Sequence, residues 1–544
     1  MGSAIACGFA GDAVAAQSAV PASSPVPAPA QPTPPQPPAA PSAPLHLDIN
    51  EYRIEGEHLL PQDDVETAVY PFLGPGRTTD DVEKARAALE AVYKAKGYQT
   101  VAVQVPPQRV SGGVVTLKVV EGTVGRLRVN GARYFLPDAI RQDAPSLAEG
   151  TTPNFNDVQR DIVALNQQPD RRVTPALRAG ETPGTVDVDL NVDDTLPLHA
   201  NLEINNRYSS DTTHTRLNAT VHYDNLWQLG HSLSFTYQVA PERPSDAEVY
   251  SLSYLARIPG ISWLSLLAYG VKQDSDVSTI GDINVAGRGE IAGARAIFTL
   301  PYEDGFFHTL SLGFDYKHFD QGVTLGGQTV QAPITYYPLT AAYSATWAQD
   351  GALTQLDTSV TFHLRGLGSD PVAFDTKRFK ASGDFIYFRA DLSRAQDLPL
   401  GFQAYVKVQG QLSDEPLVSA EELSGGGLDT VRGYLESETL GDNGGLGTFE
   451  LRSPYLPGLF GKTGDKFFIS DWRIYGFTDG GMLTINQPLP DQKAFFPLLS
   501  VGGGTRFELF HHLNGSVDAG VPLITQTSTK AGQTRLSLRA WVDF

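Results

Sequence analysis

The run TRLSLRAWVDF, residues 534–544, has two unlike faces when it is read as an extended strand. Leu536, Leu538, Ala540, Val542 and Phe544 fall on one side, and Arg535, Ser537, Arg539 and Asp543 on the other, because successive side chains of a strand point in opposite directions. The same period of two runs through the residues before it. Leu217, Ala219, Val221 and Tyr223 alternate with Asn218, Thr220 and His222, and Leu233, Phe235, Tyr237 and Val239 alternate with Ser234, Thr236 and Gln238. From residue 198 to 544 helical periodicity is nearly absent.

A soluble β-sandwich shares this alternation. Two features favour a membrane barrel. The polar faces are rich in Ser, Thr, Asn, Gln and charge over many strands, as a wet interior requires, while Tyr and Phe recur near strand ends, as an interfacial girdle would. The 347 residues from 198 to 544, at about 22 per strand and loop, give about 16 strands, within the even-numbered range of such barrels. No run of 18 apolar residues occurs, so no transmembrane helix is expected; barrel strands need only about 9–11 residues each.

Composition excludes several classes. Lys and Arg number 41 against 61 Asp and Glu, a net charge of −20, which disfavours nucleic acid as a partner. Cys7 is the single cysteine, so neither a disulfide within the chain nor a Cys-based zinc cage can form. Of the 11 histidines only His511 and His512 adjoin, and no metal or other cofactor is expected. Gly461-Lys462-Thr463 lacks the earlier glycine of a phosphate loop, so a turn and no nucleotide site is expected. Neither a G-x-S-x-G elbow nor an H-E-x-x-H helix occurs, and the acidic pairs Asp414-Glu415 and Glu421-Glu422 read as solvated loops; the chain is expected not to be an enzyme.

Ahead of the β region the organisation changes. Residues 1–20 carry the small apolar residues and A-x-A-like ending of an export segment. Residues 21–46 form a proline-rich linker, with 11 prolines from 21 to 44, that favours an extended tether. Residues 47–122 then read β-α-α-β-β. A long helix follows Thr79, with Val82, Ala85, Leu89 and Val92 on one face and Gly97 as its stop. The order repeats in residues 123–195, with helices at 136–147 and 155–167, the latter facing inward through Val158, Ile162 and Leu165.

These repeats, with Gly97-Tyr98, Val120-Glu121-Gly122 and the L-N-x-x-P-D-R-x-V run at 165–173, resemble POTRA domains of two-partner secretion transporters, the filamentous haemagglutinin and haemolysin transporter family. The terminal strand, with Trp541 and Phe544, resembles the assembly signal of outer-membrane barrels. Val431-Arg432-Gly433-Tyr434, within GGGLDTVRGY at 425–434, matches the family's V-R-G-Y/F loop motif, and Phe477, Asp479 and Gly481 match its F-x-D-x-G strand motif. The resemblance implies two POTRA domains, 47–122 and 123–195, ahead of a 16-stranded outer-membrane barrel from 198 to 544, with the Arg432 loop folded into the lumen. Period two puts Asp479 on the face opposite Trp472 and Ile474, so it points inward if those two meet lipid. A guanidinium in a barrel needs a carboxylate, and the planar fork of Arg gives two parallel bonds that Lys cannot copy.

The implied function is secretion. Periplasmic POTRA domains catch an unfolded, large, β-rich exoprotein that carries an N-terminal secretion domain, and it passes through the barrel as the Arg432 latch rearranges. The implied surroundings are outer-membrane lipid and, during biogenesis, the barrel-assembly machinery. Alternatives are a barrel-assembly factor of the same superfamily, which usually has three or more POTRA domains, and a passive porin or surface-binding barrel, which needs no latch.

Overall fold

The computed structural model describes residues 46–544 except 167, 276–277, 281–282, 286–287, 302, 321, 326–327, 457–468 and 511. The export segment, the proline-rich linker up to residue 45, the Gly461-Lys462-Thr463 turn and His511 lie outside the described residues.

The first module runs β1 (Glu51–Glu55), α1 (Gln62–Val69), α2 (Thr79–Ala95), β2 (Val101–Gln104) and β3 (Val114–Glu121). β3 is central, parallel to β1, with β2 on its other side. Asp81 opens α2 by accepting from both the Thr78 amide (2.9 Å) and its hydroxyl (3.0 Å), filling one of the donor sites every helix start leaves open. Val82, Ala85 and Leu89 are buried, but the next residue on that face is Tyr93 and not Val92, since the stripe continues at i+4.

The second module repeats the order: β4 (Thr123–Asn130), α3 (Pro137–Gln142), α4 (Phe155–Leu165), β5 (Arg171–Ala179) and β6 (Thr185–Asp194). β6 lies between parallel β4 and antiparallel β5. The helix expected over 136–147 is cut short: α3 ends at Gln142 and a separate turn follows at Pro145–Leu147. Proline disfavours helical backbone in the residue before it, here Ala144. Val158 and Leu165 are buried in the core of this module, and Ile162 packs against it.

From Leu198 the chain forms a closed antiparallel barrel. Ile334–Tyr336 and Leu339–Gln349 pair with successive parts of the same neighbour, Phe306–Phe319, and make one strand interrupted at Pro338, so the described residues contain 16 barrel strands. Closure joins the last strand (Arg535–Asp543) to the first (Leu198–Asn205) in the register Arg539↔Asn205 to Asp543↔Asn201. Asn206 ties the seam further: its side chain donates to the Leu536 carbonyl (2.8 Å) and accepts from the Leu538 amide (2.7 Å).

Burial shows which face meets which medium. Leu252 is 50% and Phe314 55% exposed on the outside, and Leu202, Phe235, Val408, Phe449, Ile474 and Leu538 extend the same apolar belt. A soluble sandwich would bury that face; here it covers the exterior, which suits hydrocarbon. Aromatic groups mark both rims. Trp263 stacks near Phe298, and Phe306 near Trp347, at the end next to the second module, while Tyr237 and Tyr250 lie 4.9 Å apart at the other end. The interior carries the polar alternates, such as Thr220 and Thr236, whose hydroxyls are 3.1 Å apart.

Leu252→Arg is expected to lower folding stability in lipid vesicles by about 2–4 kcal/mol, the cost of a cation at mid-membrane, and Ser253→Arg on the inner face by clearly less. Urea titration of the two variants checks this; equal losses would contradict the assignment of faces.

Candidate functional site

Residues 414–442 connect the eleventh barrel strand (Gln403–Ser413) to the twelfth (Asn443–Arg452), and they turn inward. Leu417, Val418, Val431 and Tyr434 are buried there. A short ribbon, Leu423–Gly425 with Thr439–Gly441, forms the stem. The tip depends on glycine. Gly426 and Gly427 have φ of 107° and 100°, and a Cβ on Gly427 would lie 2.4 Å from the Glu436 carboxylate. Gly433 has φ 92° and backs onto Gly520 of the fifteenth strand (Leu513–Pro522), where an added Cβ would come within 2.7 Å of the Gly433 nitrogen.

Between these glycines stands Arg432, 4% exposed. Its Nε donates to Asp479 Oδ2 (2.7 Å) and its Nη2 to Oδ1 (2.8 Å), and its backbone amide adds a third bond to Oδ2 (3.1 Å). Asp479, on the thirteenth strand (Ile469–Thr484), has no exposed surface. The guanidinium lies over the Phe477 ring, 3.5 Å from its centre, so the first two residues of the strand motif supply a carboxylate and a π face to the same cation. Gly481, the third, lets neighbouring strands approach: a Cβ there would fall 2.1 Å from the Gly445 carbonyl oxygen.

The remaining Arg432 nitrogen, Nη1, donates to Glu450 Oε1 (2.6 Å) and reaches Asp518 Oδ1 at 3.4 Å. Glu450 also holds Arg452 (2.8 Å) and faces Arg506 (3.5 Å), and Asp518 accepts from the Tyr475 hydroxyl (2.7 Å). Arg432, Arg452 and Arg506 thus face Asp479, Glu450 and Asp518, a balanced set, as burial of charge demands. Val431 packs with Tyr434, Leu446, Leu483 and Leu498, and the Tyr434 hydroxyl donates to the Ile524 carbonyl (2.7 Å).

Two further ionic anchors hold the loop elsewhere on the wall. The expectation that Glu421-Glu422 is a solvated loop is overturned: Glu421 is 1% exposed, pairs with Lys317 and accepts from the Tyr336 and Tyr387 hydroxyls at 2.7 Å each. Glu422 is buried 3.9 Å from Arg378. Two adjacent acids in a polar stretch look like surface, and only the inner wall, remote in sequence, supplies their partners. On the far side Arg207 binds Glu436 (3.0 Å) and Asp429 (2.6 Å).

Sequence reasoning missed Glu450, Asp518, Glu421 and Arg207. Glu450 alone left a local signal, a carboxylate between the outward Phe449 and Leu451. The terminal residues do not share a face: Phe544 is exposed and its backbone pairs with Ala200, whereas Trp541 is turned inward with the Arg539 guanidinium 4.4 Å from its ring centre. Neither belongs to the Arg432 site.

Comparison with known proteins gives two family matches: "POTRA domain, ShlB-type" over residues 47–122 and "Haemolysin secretion/activation protein ShlB/FhaC/HecB" over residues 184–507. The chain is similar to the heme/hemopexin transporter protein HuxB of Haemophilus influenzae, 22% identical over 71% of this chain and 68% of that one. It is likewise similar to the outer membrane transporter CdiB of Dickeya dadantii, 22% identical over 74% of this chain and 72% of that one. Among solved structures, CdiB from Escherichia coli matches with a TM-score of 0.64 at 19% identity, covering 93% of this chain and 92% of that chain, a likeness of fold.

Arg432→Ala leaves Asp479 and Glu450 short of a cation and is expected to cost about 3–5 kcal/mol of thermal or denaturant stability of the folded barrel, or to expel the loop and raise single-channel conductance in planar bilayers. Arg432→Lys keeps the charge without the fork and is expected to fall between. Both readouts unchanged in Arg432→Ala would show that the pair does not hold the loop.

Proposed function

This chain belongs to the family of haemolysin secretion/activation proteins, and from that premise we propose that it passes one large, β-rich exoprotein, unfolded, from the periplasm through its barrel. It is an outer-membrane protein with its POTRA-type region in the periplasm, and its family places it among two-partner secretion translocators. The finer steps are our reading. Each N-terminal module has edge strands, β1 and β2 in the first and β4 and β5 in the second, which suit main-chain pairing with an extended client. The client then displaces the Arg432 loop and folds outside.

The observation that carries this reading is the loop itself. A permanently closed barrel would do best with a dry, apolar filling; this one is held by Asp479, Glu421 and Arg207 through charged bonds that water and a passing polar chain can replace. The protein acts as a conduit and not as an enzyme, with no nucleotide or cofactor in the transport step, and folding of the client at the surface supplies the direction. The amphipathic last strand with Phe544 is what the barrel-assembly machinery engages during biogenesis.

Secretion of the exoprotein encoded next to this gene tests the reading, in cells carrying the intact chain, Arg432→Ala or a deletion of residues 47–195, with each barrel checked by heat-modifiable gel mobility. The exoprotein is expected in the medium with the intact chain alone. Secretion undiminished in both variants sinks the proposal, and a fall in other outer-membrane proteins in its place points to barrel assembly. A client whose folding is blocked should stall in the membrane; normal release would remove folding as the driver.

A further inference from the structure

At the periplasmic mouth of the barrel the fold gathers residues that are scattered in sequence. His199 on the first strand and His222 on the second (Arg216–Leu226) are direct cross-strand partners with ring centres 4.7 Å apart. Asp224, two residues on, shares the inward face with His222, and its Oδ2 lies 3.3 Å from His222 Nε2 and 4.0 Å from His199 Nε2. From the second module, the turn before β5 brings Asp170, whose Oδ1 is 2.8 Å from His199 Nε2. No metal site is expected from the sequence, in which no H-E-x-x-H helix occurs and only His511 and His512 adjoin.

Three observations point to a ligand. The donor atoms of His199, His222 and Asp224 all lie within 4.8 Å of one another. A tetrahedral zinc with bonds of about 2.1 Å separates its ligand atoms by about 3.4 Å, and the 3.3 and 4.0 Å distances from Asp224 to His222 and His199 lie on either side of that value. The Asp170 side chain is only 5% exposed, yet its Oδ2 has no hydrogen-bond partner, a buried acceptor that a cation would satisfy. The histidines and Asp224 are only partly buried, which leaves an aqueous route in.

We propose that His199, His222 and Asp224 bind one divalent ion of the zinc class at the periplasmic mouth, and that Asp170, through its contact with His199, supports that site and ties the second module to the first two barrel strands. Two imidazoles and one carboxylate, with a water in the fourth position, are a borderline donor set, better suited to Zn²⁺ than to Mg²⁺ or Ca²⁺, which take oxygen alone. The alternative is a pair of histidine–aspartate ion pairs with no metal.

The test uses the full chain, purified in detergent without a histidine tag, stripped with chelator and titrated calorimetrically with Zn²⁺. One ion per chain is expected, with two imidazole nitrogens in a four-ligand shell by X-ray absorption at the zinc edge. His222→Ala and the isosteric Asp170→Asn should each weaken binding about 10-fold or more, since loss even of a supporting partner costs about 10–100-fold, while His512→Ala changes nothing. Absence of stoichiometric zinc overturns the site, as does wild-type affinity in both variants or loss of binding in His512→Ala. Heat-modifiable mobility confirms that each variant is folded. Should one unfold, the absorption spectrum of the native chain decides, and a shell without two imidazoles rejects the proposal.

Discussion

A backbone amide that faces hydrocarbon has no water to turn to, and each one left unpaired costs several kcal/mol. A sheet in a membrane must therefore meet itself, and the rest of this structure depends on that meeting. It occurs between the first and last strands, over five register pairs from Arg539↔Asn205 to Asp543↔Asn201, continued by the mutual backbone bonds of Phe544 and Ala200. Side chains lengthen the seam. Asn206 bonds to the backbone at Leu536 and Leu538, the Arg539 guanidinium donates to Glu203 (2.6 Å), and Asn201 donates to Asp543 (2.7 Å). These bonds lie mostly on the inward face, where polar groups are tolerated, so the exterior of the seam stays apolar through Leu202, Ile204, Leu536 and Leu538.

Closing 16 strands has a consequence for the interior: a ring of that size is too wide for wall side chains to fill. The space is taken by residues 414–442, and their inward path explains a set of local choices that otherwise look unrelated. The glycines at 426, 427 and 433 make sharp turns and close approaches possible. The acids at 421 and 436 and the arginine at 432 each meet an opposite charge on the wall, on Lys317, Arg207 and Asp479. Lys317 and Asp479 sit on separated strands and Arg207 just past the end of the first, so the loop is moored around the barrel and not along one edge.

What could be read from sequence divides along the range of the interactions. Period two is local, so the strands, their inner and outer faces and the barrel itself were legible, as were α2 and α4 from their stripes and caps. The Arg432 and Asp479 motifs were legible because each is a short word. Their company was not: Glu450 and Asp518 reach Arg432 only because the twelfth and fifteenth strands flank it, and Glu421 meets Tyr336 and Tyr387 on wall strands distant in sequence. The mouth cluster is more remote still, since Asp170 belongs to a different domain from His199, His222 and Asp224. Where the reading of the helices erred, at Val92 against Tyr93 and at the break before Pro145, the error was one of i+3 against i+4 or of a proline's effect on its neighbour.

Ionic mooring also sets how the loop can leave. Deleting one member of a buried pair strands the other without compensation, which is costly; separating both into water is not the same process. In a wet lumen the Arg432 guanidinium and the Asp479 carboxylate each regain hydration as they part, and desolvation lost on closing is returned on opening. The net strength of the contact is then far below that of its individual bonds, while its geometry stays demanding: a bidentate fork, a third bond from the backbone amide and a ring 3.5 Å beneath the cation admit one arrangement. An apolar plug of equal size would behave oppositely, binding in many near-equivalent packings and exposing greasy surface whenever it moved. A loop that must find one resting place and yet yield to a passing chain is better served by charge, which is why the proposed transport role and the buried arginine belong to one argument.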